Sequence, residues 1–420
     1  MNSPRFTYRC SLCQRASGAA ELTYTCPADG GNLDVLLDYE GLRRQNQALI
    51  LPEERGLWRY LPLLPVADPG GHETPFREAG GTPVYQLHTL AAGLGLRALW
   101  LKDESRNPSA SFKDRASAVV MARAAEIGAE VVVTASTGNA GAALAGMAAA
   151  LGRKAVIFAP RAAPPAKIAQ LLIFGAQVIL VEGSYDDAFD LTIQAAHEFG
   201  WYCRNTGYNP FTAEGKKTAA FEIWEWQSRQ PPRSPASLQA GAPLSIFIPV
   251  GDGNIIAGIH KGFKDLLAVG VIERLPRLFG VQAEGSAAVA NAFFSQADRI
   301  QPVTAHTIAD SISVDLPRDG VRALRAVRET GGCCLTVSDA EILRAIASLG
   351  RVGVLAEPAG AAACAGLVKA VEQGLITPEE PVLLLNTGSG LKDVRAVLQA
   401  APEAPVIEPT LEEVQRLLRQ

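Results

Sequence analysis

Val131-Val-Val-Thr-Ala135-Ser136-Thr-Gly-Asn139-Ala-Gly141-Ala-Ala-Leu-Ala-Gly-Met-Ala-Ala-Ala-Leu151 places an apolar β-branched run, a polar turn and an Ala-rich helical stretch directly one after another. An apolar run without polar alternation suits a strand buried on both faces. A helix that follows at once returns the chain across the sheet, which is the crossover unit of a parallel sheet. The rhythm recurs on both sides. Residues 98–101, 155–158, 178–181, 246–250, 279–281 and 382–385 read as further buried strands. Residues 112–127, 165–174, 186–199, 213–227, 256–267 and 341–349 read as helices. The expected fold is α/β, with doubly wound open sheets. Residues 61–83, dense in Pro and Gly, read as an extended surface connection, and residues 228–243, with four prolines, as a surface loop.

The 420 residues are 48% hydrophobic and 20% charged, which excludes disorder, collagen and coiled coil. The length accommodates two or three domains with a cleft between them. With 39 Lys+Arg against 43 Asp+Glu there is no basic face for a polyanion, so no nucleic acid is expected as partner. Residues 140–151 are the most apolar segment and fall well short of the roughly 20 residues that cross a bilayer, so no membrane helix is expected. Arg5, Arg9 and Cys10 stand where a secretory signal needs an apolar stretch, and the expected location is cytoplasmic. Seven cysteines in this clustering do not form a disulfide framework.

In open α/β sheets, ligands lie beyond the C-terminal strand ends. Four loops there carry unusual polar residues: Asn107-Pro-Ser-Ala-Ser-Phe112-Lys113-Asp-Arg115, Ser136-Thr137-Gly-Asn139, Pro249-Val250-Gly251-Asp252-Gly253-Asn254-Ile255 and Asn386-Thr387-Gly-Ser-Gly-Leu-Lys-Asp393. Lys113, at a helix start beside Phe112, has both the dipole and desolvation against its ammonium form, as a nucleophilic amine requires. A surface lysine paired with Asp114 is the plainer alternative. Gly251 and Gly253 let consecutive amides converge on a phosphate at a helix N-terminus, without a Walker lysine or a complete dinucleotide fingerprint. Ser136, Thr137 and Asn139 offer donors to a carboxylate or phenolic oxygen, or serve as a helix cap.

Together these loops resemble the pyridoxal-phosphate-dependent enzymes of the tryptophan synthase β-subunit fold, fold type II, and most closely their threonine synthase branch. The likeness runs from Gly81-Thr-Pro through Lys102-Asp-Glu, the Lys113 loop and the Asn139 loop. It continues through Lys167 to Gln170, Phe174-Gly-Ala, Val181-Glu-Gly-Ser-Tyr-Asp-Asp-Ala and Asn209-Pro-Phe-Thr-Ala-Glu-Gly-Lys-Lys-Thr218 to Glu357-Pro-Ala-Gly-Ala and Thr387. By correspondence Lys113 is the Schiff-base residue. Phe112, Asn139, Val250, Gly251, Asp252, Gly253, Asn254, Ile255 and Thr387 hold the cofactor, with Asn139 at its 3-hydroxyl and Thr387 at its ring nitrogen. Ser136, Thr137 and Asn139 receive the substrate carboxylate. The resemblance implies conversion of O-phospho-L-homoserine and water to L-threonine and phosphate, by a homodimer. It also implies a large cofactor domain, residues 41–111 with 209–420, and a small α/β domain, residues 112–208.

Some positions depart from that branch. Ala110 and Ala116 replace glycines, Ser389 replaces a histidine, Asn254 replaces a third glycine, and residues 307–318 look different. Two alternatives for the leaving group therefore stand: a β-replacement resembling cysteate synthase, with phosphoserine and sulfite, and a serine or threonine ammonia-lyase. Arg115, Lys217 and Arg318 are candidates for binding substrate phosphate. Residues 1–40 form a small module with a Cys10-x-x-Cys13 knuckle, a strand signal at 22–25 and Cys26 in a Cys-Pro-x-x-Gly-Gly turn. Cys10, Cys13 and Cys26 are spaced like a zinc ribbon with Asp29 in the fourth position, as in long threonine synthases by resemblance; either zinc or a metal-free ribbon fits.

Overall fold

The computed structural model describes residues 6–21, 23–44, 48–163, 165–238 and 242–419. Thirteen strands are present among them: β1 Phe6–Cys10, β2 Ala16–Gly18, β3 Leu33–Leu37, β4 Val84–Gln86, β5 Leu99–Asp103, β6 Val131–Ala135, β7 Lys154–Pro160, β8 Gln177–Val181, β9 Tyr202–Cys203, β10 Ser245–Pro249, β11 Arg277–Ala283, β12 Cys334–Val337 and β13 Val382–Asn386. They form a six-stranded sheet in the order β12-β11-β10-β13-β5-β4, a four-stranded sheet in the order β8-β7-β6-β9, and an antiparallel β2-β1-β3 ribbon. The four-stranded sheet is wholly parallel. The larger one is parallel except for its edge strand β4.

The central strands β5, β10 and β13 are buried along their whole length, as expected of a sheet covered on both faces. Chain order places the site. From β10 the chain steps outward through β11 to β12, whereas β13 lies on the other side of β10. The order reverses between β10 and β13, and the loops beyond their C-terminal ends diverge into a crevice. The loop after β5 closes over the same end: Phe112 N donates to Thr387 O at 2.9 Å.

Four expectations need correction. Residues 61–83 are not an extended surface connection: the short 3-10 helices Gly56–Leu63 and Pro75–Glu78 bury Trp58 and Phe76 in the same apolar cluster as the helix Asn139–Ala150. Apolar side chains spaced along a Pro-rich stretch outweigh its lack of regular hydrogen bonding. The 22–25 strand reduces to a single bridge, Thr25 to Asn32, and Leu22 lies outside the described residues. The 213–227 helix is two, Phe211–Lys216 and Thr218–Ser228. The 178–181 strand is present as β8 but lies at a sheet edge and is partly exposed rather than buried; the 228–243 loop is mostly exposed as expected, with 239–241 outside the described residues. Residues 1–5 are also outside. No described helix is long and apolar enough to cross a membrane.

Candidate active site

Lys113 is the first residue of the helix Lys113–Glu126, and the loop before it is clamped from below. Arg115, fully buried, donates to Glu104 at 2.7 Å and to Glu222 at 2.6 Å; Lys102 reaches Glu222 at 2.7 Å. Two cations and two carboxylates thus neutralise each other under the lysine loop. Glu222 also accepts from the amides of Gly81 and Thr82, so the Gly81-Thr-Pro and Lys102-Asp-Glu motifs build this foundation. Arg115 is therefore unavailable to a substrate phosphate. Lys217 is equally committed, to Glu214 and to Asp265 at 2.8 Å. Arg318 alone of the three candidates lines a cavity beside Lys113, with Asp186 as its ion-pair partner at 2.9 Å.

The glycine loop opens the helix Asn254–Val269. Gly253 takes φ +87°, a left-handed value that suits glycine. Among the described residues, the amides of Gly251, Asp252, Gly253, Asn254 and Ile255 have no protein acceptor. They are the donors of a helix N-terminus, ready for an anion. Val250 differs: its amide donates to Val281 O at 2.8 Å and its side chain is buried in the sheet core. The Asn254 side chain turns backward, donating to Asp319 Oδ2 at 2.7 Å and accepting from Lys216 Nζ.

Phe112, Lys113, Asn139, the 251–255 loop and Thr387 line one pocket. It shares Asn139 and Ser311 with two larger cavities of about 360 and 480 Å³. Thr137 borders both of these, and Ser136 the larger. Asn139 heads its helix and donates from Nδ2 to both Glu357 oxygens, at 3.0 and 2.9 Å. Ser136 Oγ accepts from Gly138 N at 3.2 Å.

Three further residues matter here: Glu357 and Lys216, which the sequence places in motifs without a role, and Arg204, which no sequence signal marks. Arg204 is fully buried, donates to Ser117 Oγ at 3.2 Å and Thr206 Oγ1 at 2.7 Å, and its Nη2 has no partner. Burial pushes Arg204 down to about 10. Lys113 is also lowered, by burial and by the Arg204 charge, against the opposing pull of Asp252 and Glu357. Lys216 lies well below the usual lysine range because it is buried beside Lys113 and Arg204. Burial raises Asp252 and Glu357 in turn. Among the described residues, these three basic groups have no carboxylate contact; with the free amides they line a crevice whose walls favour an anionic ligand.

In the ribbon, the ligand atoms of Cys10, Cys13, Cys26 and Asp29 all lie within 4.8 Å of one another. Cys13 Sγ and Cys26 Sγ are 3.8 Å apart, and sulfurs arranged tetrahedrally at about 2.3 Å from zinc lie about 3.8 Å apart. The cluster can hold such a metal. Cys334 and Cys364 are buried in strand and helix, and Cys333 is half-buried.

Residues 76–388 match the family of pyridoxal-phosphate dependent enzymes. The threonine synthase of Methanocaldococcus jannaschii is 38% identical over 98% of this chain and 99% of its own length. That of Methanosarcina acetivorans is 36% identical, over 98% of each. Among solved structures, the processed form of threonine deaminase isoform 2 from Solanum lycopersicum superposes with a TM-score of 0.65 at 23% identity, covering 85% of this chain and 95% of its own. O-ureido-L-serine synthase does so with 0.65 at 18%, covering 79% and 97%. These structures share the two-sheet α/β fold that the strand–helix rhythm and motif order lead one to expect. The chain belongs to the pyridoxal-phosphate dependent enzymes, on their threonine synthase branch.

Proposed function

We propose that this chain is a threonine synthase, converting O-phospho-L-homoserine and water to L-threonine and phosphate. The carrying observation is the likeness to threonine synthases over 98% of the chain. The residues present fit pyridoxal phosphate: unpartnered amides at 251–255 suit its phosphate, Lys216 adds a buried cation beside them, and Lys113 brings an amine to the same pocket. When bound, the cofactor supplies an aldehyde for amines and a ring that withdraws electrons from the adjacent carbon.

Within that reading the protein's own groups divide the work. Lys113 Nζ, neutral in a larger fraction than an exposed lysine, holds the cofactor and then serves as the base at the substrate Cα and Cβ. Ser136, Thr137 and Asn139 receive the substrate carboxylate at a helix N-terminus. Thr387 offers the ring nitrogen a neutral hydroxyl, which does not favour its protonation as a carboxylate would. Of the positions assigned to the cofactor, Val250 contributes through the strand that carries the loop and Asn254 by orienting it. Arg204 and Arg318, bordering the larger cavity, hold the leaving phosphate. The domain division at 41–111 with 209–420 and 112–208, a cytoplasmic homodimer and a ribbon zinc complete the proposal.

The test is to supply the cofactor-loaded protein with O-phosphohomoserine, phosphoserine plus sulfite, serine and threonine in parallel. Phosphate and threonine release from the first is expected. Turnover of another substrate alone assigns the chain to a different β-replacement or elimination.

A further inference from the structure

The ribbon is joined to the crevice by one buried carboxylate. Asn32, just ahead of β3, donates from Nδ2 to Asp319 Oδ1 at 2.7 Å and to Arg318 O at 2.9 Å. Asp319 is 1% exposed, and its second oxygen accepts from Asn254 Nδ2 at 2.7 Å. Its amide donates to Asp252 O at 2.8 Å. The packing is equally close: a Cβ on Gly253 would lie 2.7 Å from Asp319 O and 2.8 Å from Ala323 Cβ. The ribbon is fastened to the same element by Arg322, 3.1 Å from Asp34, and by Arg325, which donates to Ser11 O at 2.5 Å.

One oxygen of Asp319 is thus committed to the ribbon and the other to the glycine loop. This matters because a glycine loop has unusual freedom to lose when its amides converge. It matters also because a carboxylate so near free amides competes with an incoming phosphate unless its lone pairs are already engaged. Arg322 Nη1, at 3.4 Å, balances part of its charge. Asn32 is the donor that turns the remaining oxygen away from the loop.

We propose that Asp319 is a positioning residue for the cofactor-phosphate loop, and that the N-terminal ribbon orients it through Asn32. The ribbon is then an element of cofactor retention. This inference rests on the reading of residues 251–255 as the phosphate loop.

The test measures pyridoxal phosphate dissociation constants, by absorbance and fluorescence titration of the stripped full-length protein, for Asn32→Ala, Asp319→Ala, the double variant and Gly253→Ala. Unfolding midpoints of the stripped proteins are recorded beside them. Asn32→Ala is expected to raise the dissociation constant about tenfold, the size of one charge-assisted hydrogen bond. It should add nothing further in the Asp319→Ala background, because coupled neighbours are not additive. Asn32→Asp, which sets like charges against each other and removes no bulk, should weaken binding more than alanine. That comparison decides the matter if Asp319→Ala does not fold. A lowered unfolding midpoint with an unchanged dissociation constant for both Asn32 variants overturns the inference, as do independent effects in the double variant. If Gly253→Ala weakens binding while Asn32→Ala does not, the inference alone falls. If neither weakens it, the loop reading has failed and takes the inference with it.

Discussion

Asn139 and Glu357, 218 positions apart, join two helix starts across the crevice: one amide nitrogen donates to both carboxylate oxygens. Glu357 immediately precedes the helix Pro358–Glu372, its own amide donating to Gly388 O at 3.0 Å. Burial raises this carboxyl, and the Asn139 bond restrains the rise. Asn139→Ala should therefore raise it further and destabilise the cofactor-free protein by about 1–3 kcal/mol at neutral pH. A raised carboxyl costs stability only where the unfolded chain ionises it. The loss should fade as pH falls below the ordinary value of 4.5, which urea unfolding across that range will show.

Lys216 gives the opposite sign. Its folded value is depressed, so its ammonium costs stability at neutral pH, and that cost disappears as pH rises toward the ordinary 10.5. Lys216→Met should stabilise the cofactor-free protein by roughly 1–4 kcal/mol at neutral pH, with the gain shrinking toward pH 10.5. Denaturant titrations at the two ends of the range check it. The same substitution should weaken binding of pyridoxal phosphate.

Arg115 and Arg204 are both fully buried but should respond differently to glutamine. Arg115→Gln takes the guanidinium from Glu104 and Glu222, leaving Lys102 alone against two buried carboxylates, and should cost about 3–5 kcal/mol of stability. Arg204→Gln removes no ion pair. Its buried charge costs stability as that of Lys216 does, so the change should raise the unfolding midpoint or leave it in place, and should raise the KM for O-phosphohomoserine by about a hundredfold, the loss of charged hydrogen bonds to phosphate. Steady-state kinetics beside thermal melts separate the two.

Ala110 holds φ +60° in the lysine loop, between an amide bonded to Asn107 O at 2.8 Å and a carbonyl accepting from Ser389 N at 3.1 Å. An L-residue in the left-handed region carries about 1 kcal/mol of strain. Ala110→Gly should raise stability by up to about 1 kcal/mol in denaturant titration, reduced by the added freedom of the unfolded chain.

What the sequence discloses follows from how local its signals are. β6 coincides with the expected 131–135 because a β-branched run ending at a Ser-Thr-Gly turn has one reading. The lysine, asparagine and glycine loops were legible because strand ends and helix starts must carry the site in such a sheet. β4 and β9 were not, because three and two residues hold no periodicity. The Lys216–Lys217 pair shows the limit most clearly. Both side chains are buried at the junction of two helices, so no apolar stripe says which faces the crevice, and only the positions of Glu214 and Asp265 reserve Lys217 for structure. Arg204 and Glu357 likewise acquire meaning from partners, or from lacking them, at long range. Ala110 occupies a position where the resemblance expects glycine, and the backbone there has kept glycine's conformation.

The proposed chemistry depends on the amine of Lys113 holding the cofactor. The most direct measurement is borohydride reduction of the cofactor-loaded protein, followed by proteolysis and mass spectrometry of the labelled peptide. A single reduced pyridoxyl group on Lys113 is expected, absent from Lys113→Ala. A label on Lys216 in the wild-type protein, or an undiminished label in the variant, would overturn that assignment.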